Sequence, residues 1–174
     1  QLQWYQIRTN NWPVQAGQHP SIDRKERLGL TDPGGVTPVY VHDGSIVANA
    51  CGEVAIGFTR AGFRDIDGSS WIYPQFWRAL YDANVNNPPS VAMVVAGASQ
   101  YYNPGTLNNP QVAWADFSGI ASDPLRGSRF FAHHMAVHND NANGLQSVQW
   151  ESWIAQLNFG SCGGGSGLLA DFNG

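Results

Sequence analysis

Ser128-Arg129-Phe130-Phe131-Ala132-His133-His134-Met135-Ala136-Val137-His138 and Ser147-Val148-Gln149-Trp150-Glu151-Ser152-Trp153-Ile154-Ala155-Gln156-Leu157-Asn158-Phe159 are two alternating runs near the end of the chain. Asn139-Asp140-Asn141-Ala142-Asn143-Gly144 lies between them and is rich in residues that tolerate turns. Two alternating runs about such a stretch predict a β-hairpin. A period of two puts Arg129, Phe131, His133, Met135 and Val137 on one face of the first strand, and Phe130, Ala132, His134, Ala136 and His138 on the other. Both faces are largely apolar, so both need cover, from packed sheets or from another copy of the chain. In the second run Val148 and Trp150 share one phase, whereas Trp153, Ala155, Leu157 and Phe159 share the other. That change of phase predicts a bulge near Glu151 and Ser152.

Working outward, residues 1–8 read as a strand with Leu2 and Trp4 on one face, closed by Asn10-Asn11-Trp12-Pro13. Residues 12–35 read as irregular, because Pro13, Pro20, Pro33, Gly34 and Gly35 punctuate them. The charge run Asp23-Arg24-Lys25-Glu26-Arg27 inside that segment reads as a solvated turn, with a partner-binding arm as the alternative. Short strands are predicted over 36–41 and 45–51, with Asp43-Gly44 turning between them. Residues 53–63 alternate, with Val54, Ile56 and Phe58 on one face and Glu53, Ala55, Gly57 and Thr59 on the other. One helix of about ten residues is predicted after Pro74, since Phe76, Trp77, Leu80 and Tyr81 recur at helical spacing before Pro88-Pro89. Further strands are predicted over 90–98 and 111–117. Residues 160–174 form a Gly-rich C-terminal arm tipped by Leu168, Leu169 and Phe172. The predicted core includes Val54, Ile56, Phe58, Phe131, Val137, Trp150 and Leu157.

The chain has 174 residues, enough for one domain with a full core. Charged residues are 13% of it, about half the usual share, and aromatic residues reach 12% with seven Trp. So sparse a charge fits either solvation by Asn, Gln, Ser and Gly or a protomer that buries much of its outside. A net charge of −4 with Lys25 as the single lysine argues against nucleic-acid binding, which needs clustered cations. No apolar run reaches the ~18 residues of a membrane span, and no cleavable signal sequence is visible at the N-terminus. Cys51 and Cys162 fit no zinc or redox spacing; they are either free or one long-range disulfide.

Chemical candidates are few. His134 and His138 project from one strand face about 13 Å apart at about 3.3 Å per residue, so with His133 they do not converge on a metal. A cupin-type site fails because Met135 stands where its second histidine belongs and the following Glu is missing. Asp65-Ile66-Asp67-Gly68 and Asn139 to Gly144 lack the Glu that closes a calcium loop, and turn chemistry explains both. Glu53 or Glu151 could pair with an Asp as a glycosidase does, but no spacing singles out such a pair. Nucleophile-elbow, Walker and dinucleotide motifs are absent. No catalytic, cofactor-binding or metal residue is therefore assigned, no cofactor is expected, and the chain is not read as an enzyme.

Size near 19 kDa, strand-rich pattern, one short helix after Pro74, low charge, scarce lysine and an apolar-tipped Gly arm are together similar to one family. The chain resembles the small single-β-barrel major capsid proteins of tailless, internal-membrane icosahedral phages of thermophilic bacteria. The resemblance implies a single jelly-roll β-barrel or sandwich over residues 1–174. It also implies a structural, self-assembling role in the virion. Partners would be copies of itself, other capsid proteins and an underlying viral membrane, with no specific nucleic acid. The alternatives are a carbohydrate- or receptor-binding β-sandwich and, behind it, a hydrolase on the same scaffold.

Overall fold

A computed structural model of the chain describes residues 1–31, 39–62, 72–97, 118–140 and 147–159, with backbone alone for 137–140 and 147–150. Its described residues hold nine strands and no helix: β1 Leu2–Arg8, β2 Ser21–Leu28, β3 Tyr40–Ala48, β4 Val54–Gly62, β5 Ile72–Tyr81, β6 Ser90–Val95, β7 Gly119–Ser122, β8 Arg129–Asp140 and β9 Ser147–Asn158. They form three antiparallel sheets, the hairpin β1-β2, the meander β3-β4-β5-β6 and the sheet β7-β8-β9. The protein is all-β, and these sheets are not closed into a barrel.

The four-stranded sheet is the middle layer. Alternation on β4 sends Val54, Ile56 and Phe58 toward the hairpin, where Trp4, Leu28, Val41 and Tyr81 complete one core cluster. The opposite face of β4 carries Ala55, Gly57 and Thr59 and meets the β7-β8-β9 sheet, where Phe76, Leu80, Phe130, Ala132 and Leu157 form a second cluster. Small residues permit the close approach here. A Cβ on Gly57 would sit 3.2 Å from the Phe76 ring and 3.7 Å from the Ala132 methyl. Burying each large apolar side chain contributes roughly 1.5–3 kcal/mol, so two clusters suffice to hold three layers.

The predicted β8-β9 hairpin forms, but as one continuous ladder from Arg129↔Asn158 to Asp140↔Ser147. There is no bulge at Glu151 and Ser152, which pair in register with Ala136 and Met135. The phase of β8 also differs from the predicted core: Phe130 is fully buried, whereas Phe131 is 40% exposed on the outer face. Val54, Ile56, Phe58 and Leu157 are buried as expected. The side chains of Val137 and Trp150 lie outside the described residues, as do the strand predicted over 111–117 and the 160–174 arm.

The helix expected after Pro74 is instead β5. A spacing of four satisfies a strand as well as a helix when both strand faces are covered. Phe76 and Leu80 enter the cluster under β8, while Trp77, Ala79 and Tyr81 face the hairpin side. Pro74 sits beside the register break between Arg60 and Gly62, where a missing donor is tolerated. Asp43-Gly44 is likewise not a turn. It is a bulge within one continuous β3, with Asp43 at φ 52° and the register shifting between His42 and Ser45. The segment expected to be irregular contains β2, and the charge run is a strand rather than a solvated turn.

Candidate assembly surface

The β1-β2 hairpin covers the middle sheet with one face and presents the other to solvent. Asn10 and Asn11, at φ 53° and 62°, begin the connection between its strands, a conformation Asn accepts more readily than other residues. Trp4 and Leu28 seal the inner face, and Arg24 follows them inward, only 7% exposed. Its guanidinium lies 5.2 Å from the Trp4 ring centre and 5.5 Å from that of Tyr81. Arg24 Nη1 donates to the Asp82 carbonyl at 2.9 Å, and Nε donates to Glu26 at 3.3 Å. A desolvated cation needs such compensation, and ring faces supply it. Trp4 and Tyr81 themselves meet edge to face at 5.0 Å, and burial pushes the Tyr81 phenol above its ordinary range.

A bulge between Gln6 and Ile7 shifts the hairpin register, pairing Gln6 with Arg24 and Ile7 with Ile22. Ile7 thereby shares the outer face with Tyr5, two residues earlier, and draws Ile22 beside it. Tyr5 is 47% exposed, Ile7 61% and Ile22 62%. Lys25 Nζ lies 5.6 Å from the Tyr5 ring centre, and Arg8 pairs with Asp23 at 2.5 Å. The connecting turn adds the exposed Trp12 and Val14.

The outer face of the third layer also exposes large apolar side chains. Phe131 stands half-covered beneath the Arg129 guanidinium at 5.4 Å, and Ile154, two pairs along the ladder, is 73% exposed. Arg129 is fixed in turn by Asp123, whose carboxylate also accepts the Leu125 N–H at 2.8 Å. Those bonds, the Leu125 amide foremost, hold the Asp123 carboxyl below its ordinary range.

The residues weighed for chemistry do not converge. His134 is fully buried between sheets, His133 is half-buried on the outer phase of β8, and the side chain of His138 lies outside the described residues. Among the described residues, no group of three or more His, Cys, Asp or Glu could hold a metal ion. Glu53 is buried in the β3-β4 turn, where Asn49 Nδ2 donates to it at 2.6 Å and Asn49 Oδ1 accepts the Cys51 and Glu53 N–H groups. Glu151 stands opposite Ala136 on β9. The 65–68 stretch lies outside the described residues, as do the side chains of 139–144. Cys51 at the tip of its turn is disulfide-bonded; Cys162, the other cysteine of the sequence, lies outside the described residues.

Sequence reasoning missed the buried Arg24. Its signal was the alternation Arg24-x-Glu26-x-Leu28, with aromatic partners elsewhere in the chain to receive the cation. No family model, no curated protein and no solved structure matches this chain.

Proposed function

We propose that this chain is a structural, self-assembling subunit of a virion shell, not an enzyme. Its partners would be copies of itself, other shell proteins and an underlying viral membrane. The observation that carries the reading is that both outer layers present large apolar side chains, Tyr5, Ile7 and Ile22 on one and Phe131 and Ile154 on the other. Charge supports a chain-to-chain contact. Residues 1–31 hold four of the nine cationic side chains and two of the thirteen carboxylates, so this layer carries +2 and the rest of the chain −6. Opposite potentials of this kind favour docking of one copy's hairpin layer on the body of another. The jelly-roll form of the proposal rests on two antiparallel sheets packed face to face, although β3-β4-β5-β6 is a plain meander.

Sedimentation velocity on the full chain tests this. A dimer or larger assembly at micromolar concentration, weakened by deletion of residues 163–174 or by substitution on the hairpin's outer face, is the expected result. A compact monomer unchanged by either alteration would move the reading to a carbohydrate-binding module, for which the exposed Tyr5, Trp12 and Tyr40 are the candidate platform.

A further inference from the structure

Among the described residues, a buried histidine lies beside the second core cluster, at the point where the two larger sheets meet, with Glu53 buried farther along, just before β4. His134 on β8 has no exposed surface, and its ring stacks on Phe76 of β5 with centres 4.9 Å apart and planes 22° from parallel. Its Nδ1 accepts the Met135 N–H at 2.9 Å, which places the ring proton on Nε2. Nε2 then faces two acceptors on the middle sheet, the Asp43 carbonyl at 3.3 Å and Thr59 Oγ1 at 3.4 Å. The same Asp43 carbonyl accepts the Ser118 hydroxyl at 3.3 Å, and Ser118 is 2.7 Å from Ser45 Oγ. One β-bulge in β3 thus supplies a polar link between the sheets.

We propose that His134 is an acid-sensitive latch between the β3-β4-β5-β6 and β7-β8-β9 sheets, its protonation loosening the contact between them. A second ring proton would sit on Nδ1, pointing at the Met135 N–H that this nitrogen now accepts. Two donors cannot share that 2.9 Å contact, and the other neighbour of Nδ1, the Met135 carbonyl, is 3.3 Å away. The new charge would also lie in a layer built from Ala55, Phe76, Leu80, Phe130, Ala132 and Leu157.

Around the ring, β3 brings the Asp43 carboxyl, itself 2.5 Å from His42 Nδ1. β4 brings Thr59, while the neighbouring Arg60 turns to the opposite face, 4.7 Å from the Trp77 ring centre. β5 brings Phe76, the segment before β7 brings Ser118, and β9 places Trp153 opposite His134 with Glu151 one pair along the same face. On β8 itself the neighbour is His133. Burial is the largest influence and drives the ring below its ordinary value of 6.5; the Met135 and Asp43 contacts and the Asp43 charge oppose it without reversing it. With the folded value depressed, stability is full above the unfolded value and is lost as pH falls toward and through the folded one.

The test is denaturant unfolding of the full chain from about pH 7.5 to about pH 5, wild type against His134→Gln and His42→Asn. Gln keeps a donor for the Asp43 carbonyl but cannot titrate. The unfolding constant of wild type and of His42→Asn is expected to rise by up to about tenfold more per pH unit than that of His134→Gln. Equal pH slopes for wild type and His134→Gln, or a slope abolished by His42→Asn alone, would overturn the proposal. Should His134→Gln fail to fold, the wild-type ring is titrated by NMR while amide exchange at Thr59 and Met135 is followed. A midpoint below 6.5 with faster exchange on the acid side supports the latch, and a midpoint at or above 6.5 with both amides still protected refutes it.

Discussion

The two faces of the middle sheet are packed by different means. Toward the hairpin, β4 offers Val54, Ile56 and Phe58 with the buried Arg60 over Trp77, and the polar intruder from the hairpin itself is Arg24, held against the Trp4 and Tyr81 rings. Toward β8 it offers Ala55, Gly57 and Thr59, and the intruder is His134, stacked on Phe76. The first intruder is a cation compensated by aromatic faces and a carbonyl; the second is a neutral ring compensated by hydrogen bonds that hold for one protonation state only. The difference teaches that two layers of similar apolar content respond to different perturbations, one to loss of a cation and the other to gain of one.

The largest expected effect compares adjacent positions on β8. Phe130→Ala removes a fully buried ring from the second cluster and should cost about 3–5 kcal/mol through lost transfer energy and a cavity. Phe131→Ala, at a site 40% exposed, should cost less than about 1 kcal/mol. Urea denaturation of both variants measures the pair. Equal costs would show that both faces of β8 are covered in solution, which is what an assembled shell subunit would display at high concentration.

This pair also marks where the sequence stops being readable. The hairpin was legible because two alternating runs flank a turn-rich stretch, but two adjacent phenylalanines leave the inward phase undetermined until Ala132 and Leu157 are seen to pack with Phe130. In β5, covering both faces erased the period of two and left a spacing of four that a helix shares. In β2, the inward position at Arg24 carries a charge, so hydropathy points the wrong way unless its ring partners, distant in sequence, are known. β7 has four residues, Gly119 to Ser122, too few and too small to show a period. As for the candidate site, the outward position of Ile22 depends on the bulge at Gln6-Ile7, and a bulge leaves little trace in composition.

An intermediate effect tests the hairpin side. Arg24→Met keeps most of the side-chain volume but removes the cation from two ring faces and the donor from the Asp82 carbonyl. The loss should be about 2 kcal/mol, as for a desolvated cation–π contact. Hydrogen exchange should show faster opening of β1 and β2 amides while β8 and β9 keep their protection. Uniform acceleration across all three sheets would mean that the layers unfold as one unit and that the contrast between the faces has no local consequence.

The smallest effects on the fold come from the outer faces, where they discriminate best between modes of assembly. Ile22→Ser and Ile154→Ser alter side chains that are 62% and 73% exposed, so each should change the stability of the unassociated chain by no more than about 0.5 kcal/mol. Association is a different matter. If the +2 hairpin layer of one copy docks on the outer face of β7-β8-β9 in another, the contact is head to tail and either substitution weakens it. A hairpin-to-hairpin contact would be isologous, sensitive to Ile22→Ser and indifferent to Ile154→Ser. Like charge on two hairpin layers opposes pairing them, so weakening by both is the expected outcome, with a dissociation constant that rises with salt. Sedimentation equilibrium at two ionic strengths reads both properties, and association untouched by either substitution would remove the outer faces from the assembly surface.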